Sequence, residues 1–81
     1  MSEYRNKLNT VCSRKRWPFR KGDCVSSGPQ QSQTWTCDVF VNGNPFTGSG
    51  PSKDKAYEEA AKTALENIRN EDPDAVPDGF L

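Results

Sequence analysis

Apolar side chains follow two different periods along this chain, and the switches between them mark its elements. Tyr4, Leu8, Val11 and Cys12 recur at the spacing that lines one face of a helix. The basic run Arg14–Arg16 suits a helix C-terminus, and Pro18 biases Trp17 away from helical backbone. A first helix is predicted over about Ser2–Lys15. Ser26-Ser27-Gly28-Pro29-Gln30-Gln31-Ser32 reads as a turn-rich loop, preceded by a short strand over Asp23–Ser26. Trp35, Cys37, Val39 and Val41 then alternate with Thr36, Asp38 and Phe40, the period of a half-buried strand. Asn42-Gly43 supplies the positive φ values of a tight hairpin turn. Phe46 sits on the returning strand, where Pro45, lacking an N–H, favours an edge position.

Helical spacing resumes after Gly50-Pro51-Ser52, with Ser52 as N-cap. Ala56, Ala60, Ala61, Ala64, Leu65 and Ile68 make one apolar stripe, and the pairs Lys55/Glu59, Glu58/Lys62 and Lys62/Glu66 occupy the opposite side. Alanines in such a stripe let helix and sheet approach closely. The helix is expected to end near Asn70, ahead of Glu71-Asp72-Pro73. The predicted order is α-β-β-β-α, an α+β fold in which two helices pack on one face of a three-stranded antiparallel sheet. Residues 1–70 form the domain; residues 71–81, acidic and without periodicity, form a flexible tail.

Composition narrows the functional classes. Leu, Ile, Val and Phe number thirteen of 81 residues, so the core is thin and leaves no room for a deep substrate cavity. No apolar run approaches the roughly 18 residues of a membrane span, and the N-terminus has no signal-peptide core. The expectation is a soluble intracellular protein, cytoplasmic or nuclear, with no membrane partner. Histidine is absent, removing the commonest general base and metal ligand. Cys12, Cys24 and Cys37 lack the spacing of a zinc site, and their odd number argues against a disulfide framework. They are expected to be free thiols. No enzyme, metal or cofactor is predicted.

Charge is neutral in total and uneven in place. Eleven Lys and Arg balance eleven Asp and Glu. Residues 1–22 carry seven basic side chains against Glu3, whereas residues 53–81 carry eight acids against four bases. A strongly basic end points to an acidic partner, either nucleic acid or an acidic protein.

The element order resembles the double-stranded RNA-binding domain family. So do Leu8-Asn9 on the first helix, Gly28-Pro29 before the long strand, Val41-Asn42-Gly43 at the hairpin, and Ser52-Lys53 leading into Ala56, Ala60-Ala61-Lys62 and Ala64-Leu65. The likeness covers about Tyr4–Asn70. It implies recognition of duplex RNA by shape, across two minor grooves and the phosphates between them. It also implies three contact surfaces. On the first helix, the glutamate that often follows Leu-Asn is Thr10, with Asn6 and Lys7 alongside. In the loop, the family's Gly-Pro-x-His is Gly28-Pro29-Gln30-Gln31, which keeps the turn and replaces histidine by Gln31. On the second helix, the Lys-Lys-x-Ala-Lys motif becomes Lys53-Asp54-Lys55-Ala56-Tyr57. Lys53 fits, Asp54 reverses the second lysine, Tyr57 neutralises the third, and Lys55 is basic but out of register.

Losing two phosphate contacts costs on the order of 10-fold in affinity at physiological salt. The expected function is therefore a non-catalytic module that binds double-stranded RNA weakly through Asn6, Lys7, Thr10, Gln30, Gln31, Lys53 and Lys55. The alternative is a protein-interaction or homodimerisation module on the same fold, with RNA binding largely lost. Phe40 supports it, on the outward face of the long strand, as does Tyr57, where a lysine would face solvent. Trp17 belongs either to that surface or to the core. A protein partner or a second copy of the chain would then replace RNA.

Overall fold

The computed structural model describes residues 3–76. Helix α1 spans Glu3–Lys15, strands β1, β2 and β3 span Phe19–Ser27, Thr34–Val41 and Asn44–Gly50, and helix α2 spans Lys53–Glu71. The strands form one antiparallel sheet in the order β1-β2-β3, so β2 is central and Pro45 lies on an edge strand as expected. Both helices cover one face, giving the predicted α+β architecture. The core comprises Leu8, Val11 and Cys12 of α1, Val39 and Val41 of β2, and the stripe Ala60, Ala61, Ala64, Leu65 and Ile68 of α2.

Helix α1 ends in a Schellman motif. The Arg16 N–H donates to the Ser13 carbonyl at 3.3 Å and the Trp17 N–H to the Cys12 carbonyl at 2.9 Å. Arg16 takes the left-handed conformation, with φ of 58°, that glycine normally fills. This closure turns Trp17 onto the core, where it is half-buried, and so resolves its place in favour of packing.

The first strand is longer than the pattern Asp23–Ser26 suggested. It starts at Phe19 because Phe19, Arg20 and Lys21 pair with Val41, Phe40 and Val39. One extra residue is then inserted: Lys21 opposes Val39 but Cys24 opposes Cys37. The bulge at Gly22-Asp23 breaks the alternation on which the sequence reading relied. Between β2 and β3, Asn42 and Gly43 have φ of 52° and 83°, the hairpin turn that Asn-Gly predicts.

Close approach of α2 to the sheet depends on Gly48 as well as on the alanines. A Cβ on Gly48 would run into the Ala60 backbone nitrogen and stand 2.6 Å from the Ala56 carbonyl oxygen. Ser52 caps α2 by accepting the Lys55 N–H at 3.2 Å.

Two expectations are corrected. Cys24 and Cys37 are cross-strand neighbours joined by a disulfide, leaving Cys12 as the free thiol, buried in the core. An odd count excluded full pairing but not one pair, and only the register brings these two together. The tail assigned to residues 71–81 does not begin where α2 was expected to stop. The helix runs through Glu71, Asp72 pairs with Lys15 at 3.1 Å, and Ala75 and Val76 are buried against the core. The remainder, 77–81, lies outside the described residues.

Candidate nucleic-acid interface

The two helices are joined at their N-terminal ends by Glu58. Its Oε2 accepts the Tyr4 N–H and its Oε1 the Arg5 N–H, each at 3.0 Å. These donors belong to the first turn of α1, which has no intrahelical acceptor for them. The Arg5 guanidinium also reaches Glu58 Oε1 at 3.3 Å and Asp54 Oδ1 at 3.5 Å. Asp54 therefore faces a cation from α1, and its charge opposes Arg5 directly.

The first turn of α2 carries the lysines. Lys53 and Lys55 are exposed, and neither has a carboxylate partner among the described residues. The Lys53 ammonium lies over the Trp35 ring, 5.0 Å from its centroid, which holds it at the end of β2 nearest the Gly28-Pro29 turn. That turn is closed by a single 3-10 helix, Gln30–Ser32, with the Ser32 N–H donating to the Pro29 carbonyl at 2.9 Å. Gly28 has φ of 91°, which requires glycine in practice. Gln30 and Gln31 are both exposed on it.

On α1, Asn6 and Thr10 are exposed, and the Thr10 hydroxyl donates to the Asn6 carbonyl at 3.0 Å. Lys7 pairs with Glu3 at 3.1 Å and lies over Tyr4, 5.6 Å from the ring centroid. The N-terminal ends of α1 and α2 meet at Glu58, and Lys53 links the start of α2 to the strand after the turn. The seven residues read as RNA-binding are thus spread over α1, the 3-10 turn after β1 and the first turn of α2.

The three residues assigned to a protein-interaction surface do not come together. Trp17 packs on the core. Tyr57 does not face solvent: its hydroxyl donates to the Gly22 carbonyl at 2.8 Å, and its half-buried ring packs on the core. Gly22 lies in the bulge, where the register with β2 is interrupted, a feature that no period in the sequence displays. Phe40 does lie on the opposite, outer face, with the Arg20 guanidinium stacked 4.7 Å from its ring centroid.

Arg5 also belongs to this region, although no motif in the sequence singles it out. Arg5, Asn6 and Asn9 of α1 line an open groove with Phe19 and Lys21 of β1. The Lys21 ammonium lies over the Tyr57 ring, 5.2 Å from the centroid. The basic composition of residues 1–22 was the available signal, and it could not say which cations point toward α2. Among the described residues no cluster of His, Cys, Asp and Glu is arranged to hold a metal, and no helix is long and apolar enough to cross a membrane.

The same fold occurs in known proteins. The solution structure of both dsRBDs of DRB4 with their linker superposes with a TM-score of 0.68 and 29% identity, over 83% of this chain and 44% of that one. This chain thus spans less than half the length of that two-domain structure. The first dsRBD of HYL1 gives a TM-score of 0.68 at 19% identity, over 79% of this chain and 93% of that one, a likeness of fold. No curated protein matches the chain. Residues 4–68 match the family model described as double-stranded RNA binding motif. With that match running from the Glu58-capped start of α1 to the last core residue of α2, the chain belongs to the double-stranded RNA binding motif family.

Proposed function

We propose that this chain is a non-catalytic module that holds double-stranded RNA weakly, by shape rather than by sequence. The observation that supports this best is the first turn of α2, where Lys53 and Lys55 stand without carboxylate partners among the described residues and Arg5 offsets Asp54. In this reading Lys53 and Lys55 meet phosphates, Asn6, Lys7 and Thr10 meet one minor groove, and Gln30 and Gln31 meet the next. Low affinity follows from Asp54 beside the lysines and from the pairing of Lys7 with Glu3.

The test is a titration of an RNA duplex of about 20 base pairs, longer than the roughly 16 that such a domain spans. The expected result is binding in the micromolar range that is insensitive to sequence, weaker for a DNA duplex, and tightened several-fold at low salt by Asp54→Lys. No binding at low salt and high protein concentration overturns the reading.

A second reading, a protein-interaction module, has one observation in its favour. Val25 is 65% exposed on the outer sheet face that also carries Phe40. A concentration-dependent dimer that Val25→Ser abolishes would support it; a monomer at millimolar concentration with no partner would remove it.

A further inference from the structure

Two lysines are held on aromatic faces along the line where α2 meets the inner side of the sheet. Lys53 lies over Trp35 and Lys21 over Tyr57. Lys53 and Tyr57 are one turn apart on α2, about 6 Å along its axis. The two ammonium groups therefore sit on neighbouring turns, one contributed by α2 and the other by β1. Tyr57 is fixed by its hydrogen bond to the Gly22 carbonyl, so the ring under Lys21 is tied to the strand next to it.

The surroundings of Lys21 favour an acceptor-rich ligand. Among the described residues it has no carboxylate partner, and the groove it shares with Arg5, Asn6, Asn9 and Phe19 is lined by no carboxylate. Across the groove stand the exposed amides of Asn6 and Asn9. An ammonium, a guanidinium and two amides facing one open groove offer many N–H donors and no free carboxylate. That is the complement of a sugar-phosphate backbone, whose phosphate oxygens accept and whose 2′-hydroxyl both donates and accepts. Resting on an aromatic face also limits the rotamers of Lys21 in advance, so less entropy is lost on binding.

We infer that Lys21, positioned by Tyr57, is a phosphate-binding residue for duplex RNA, and that with Asn6 and Asn9 it extends the site from α2 into the groove between α1 and β1. This rests on the RNA-binding reading above. It assigns the cation on the second turn of α2 to β1, so the patch is more basic than α2 alone makes it.

The test compares salt-dependent titrations of one RNA duplex with the wild type, Lys21→Gln, Arg69→Gln and the double variant Lys21→Gln/Tyr57→Lys. Lys21→Gln is expected to weaken binding roughly threefold to tenfold and to lower the log–log salt slope by about one unit. Arg69→Gln removes the same charge about 24 Å along α2 from Lys53 and is expected to leave the slope unchanged. The double variant returns a cation to the same place from α2 and is expected to recover the slope. Thermal melting checks that each variant is folded. If the wild type binds and Lys21→Gln binds with an unchanged slope, the role of Lys21 is overturned while the RNA-binding reading stands. If the wild type itself does not bind, both fail.

Discussion

Glu58 of α2 accepts both the backbone N–H and the side-chain Nε–H of Arg5 on α1, at 3.0 and 3.3 Å. One carboxylate thus caps a helix to which it does not belong and neutralises that helix's first cation. A local N-cap contributes about 1 kcal/mol, and a half-buried charged acceptor serving several donors contributes more. Glu58→Ala is expected to lower stability by about 2 kcal/mol in urea denaturation, whereas Asp54→Asn changes it by less than about 0.5 kcal/mol. Asp54 is 85% exposed and its pairing with Arg5 is screened by water. Equal effects from the two substitutions would show that the interhelical cap is not the source.

Gly48 is expected to tolerate no side chain. Its missing Cβ is the space occupied by the α2 backbone at Ala56 and Ala60, and backbone cannot rotate out of the way. Gly48→Ala should cost about 3 kcal/mol or more, because the helix must lift from the sheet. Gly43→Ala has no steric neighbour within 4 Å but holds φ of 83°. It should cost about 1 kcal/mol from backbone conformation alone. Chemical denaturation of the two variants measures the difference.

Arg16 offers a gain. Its left-handed conformation costs a residue with a Cβ about 1–2 kcal/mol, part of which glycine returns through its larger freedom in the unfolded chain. Arg16→Gly should stabilise the domain by about 0.5 kcal/mol and raise the midpoint of thermal unfolding by a few degrees. A lowered midpoint would mean that the guanidinium itself supports the fold.

Thiol chemistry should report one cysteine, and only after unfolding. Burial raises the Cys12 thiol above its ordinary value, and the thiolate is the reactive form, so Cys12 should resist alkylation in the native protein at pH 8. Unfolding without reductant should expose one thiol, and unfolding with reductant three. Because the unfolded chain releases this proton more readily, Cys12 favours folding less as the pH rises through the ordinary thiol value. Three reactive thiols without reductant would show that Cys24 and Cys37 are not joined.

Much of the fold was legible because its elements are built from short-range signals. The stripe Ala56 to Ile68, the alternation Trp35 to Val41, the Asn42-Gly43 turn and the Ser52 cap each depend on residues within a few positions of one another. The start of β1 was not legible, because Phe19–Lys21 are a strand only by pairing with Val39–Val41, and the bulge at Gly22 hides their alternation. The packing of Ala75 and Val76 was hidden by an acidic, proline-containing context that reads as tail.

The candidate interface divides in the same way. The sequence by itself determined the order of elements, the Gly28-Pro29 turn, the two lysines at the head of α2 and the acidic residue between them, since each is a local pattern. Tertiary structure alone decided that Arg5 offsets Asp54, that Tyr57 faces the sheet and not solvent, that Lys21 lies over it, and that Cys24 meets Cys37. Each of those is a contact between residues from 13 to 49 positions apart. No local pattern encodes such a meeting; the sheet register and the helix packing create it.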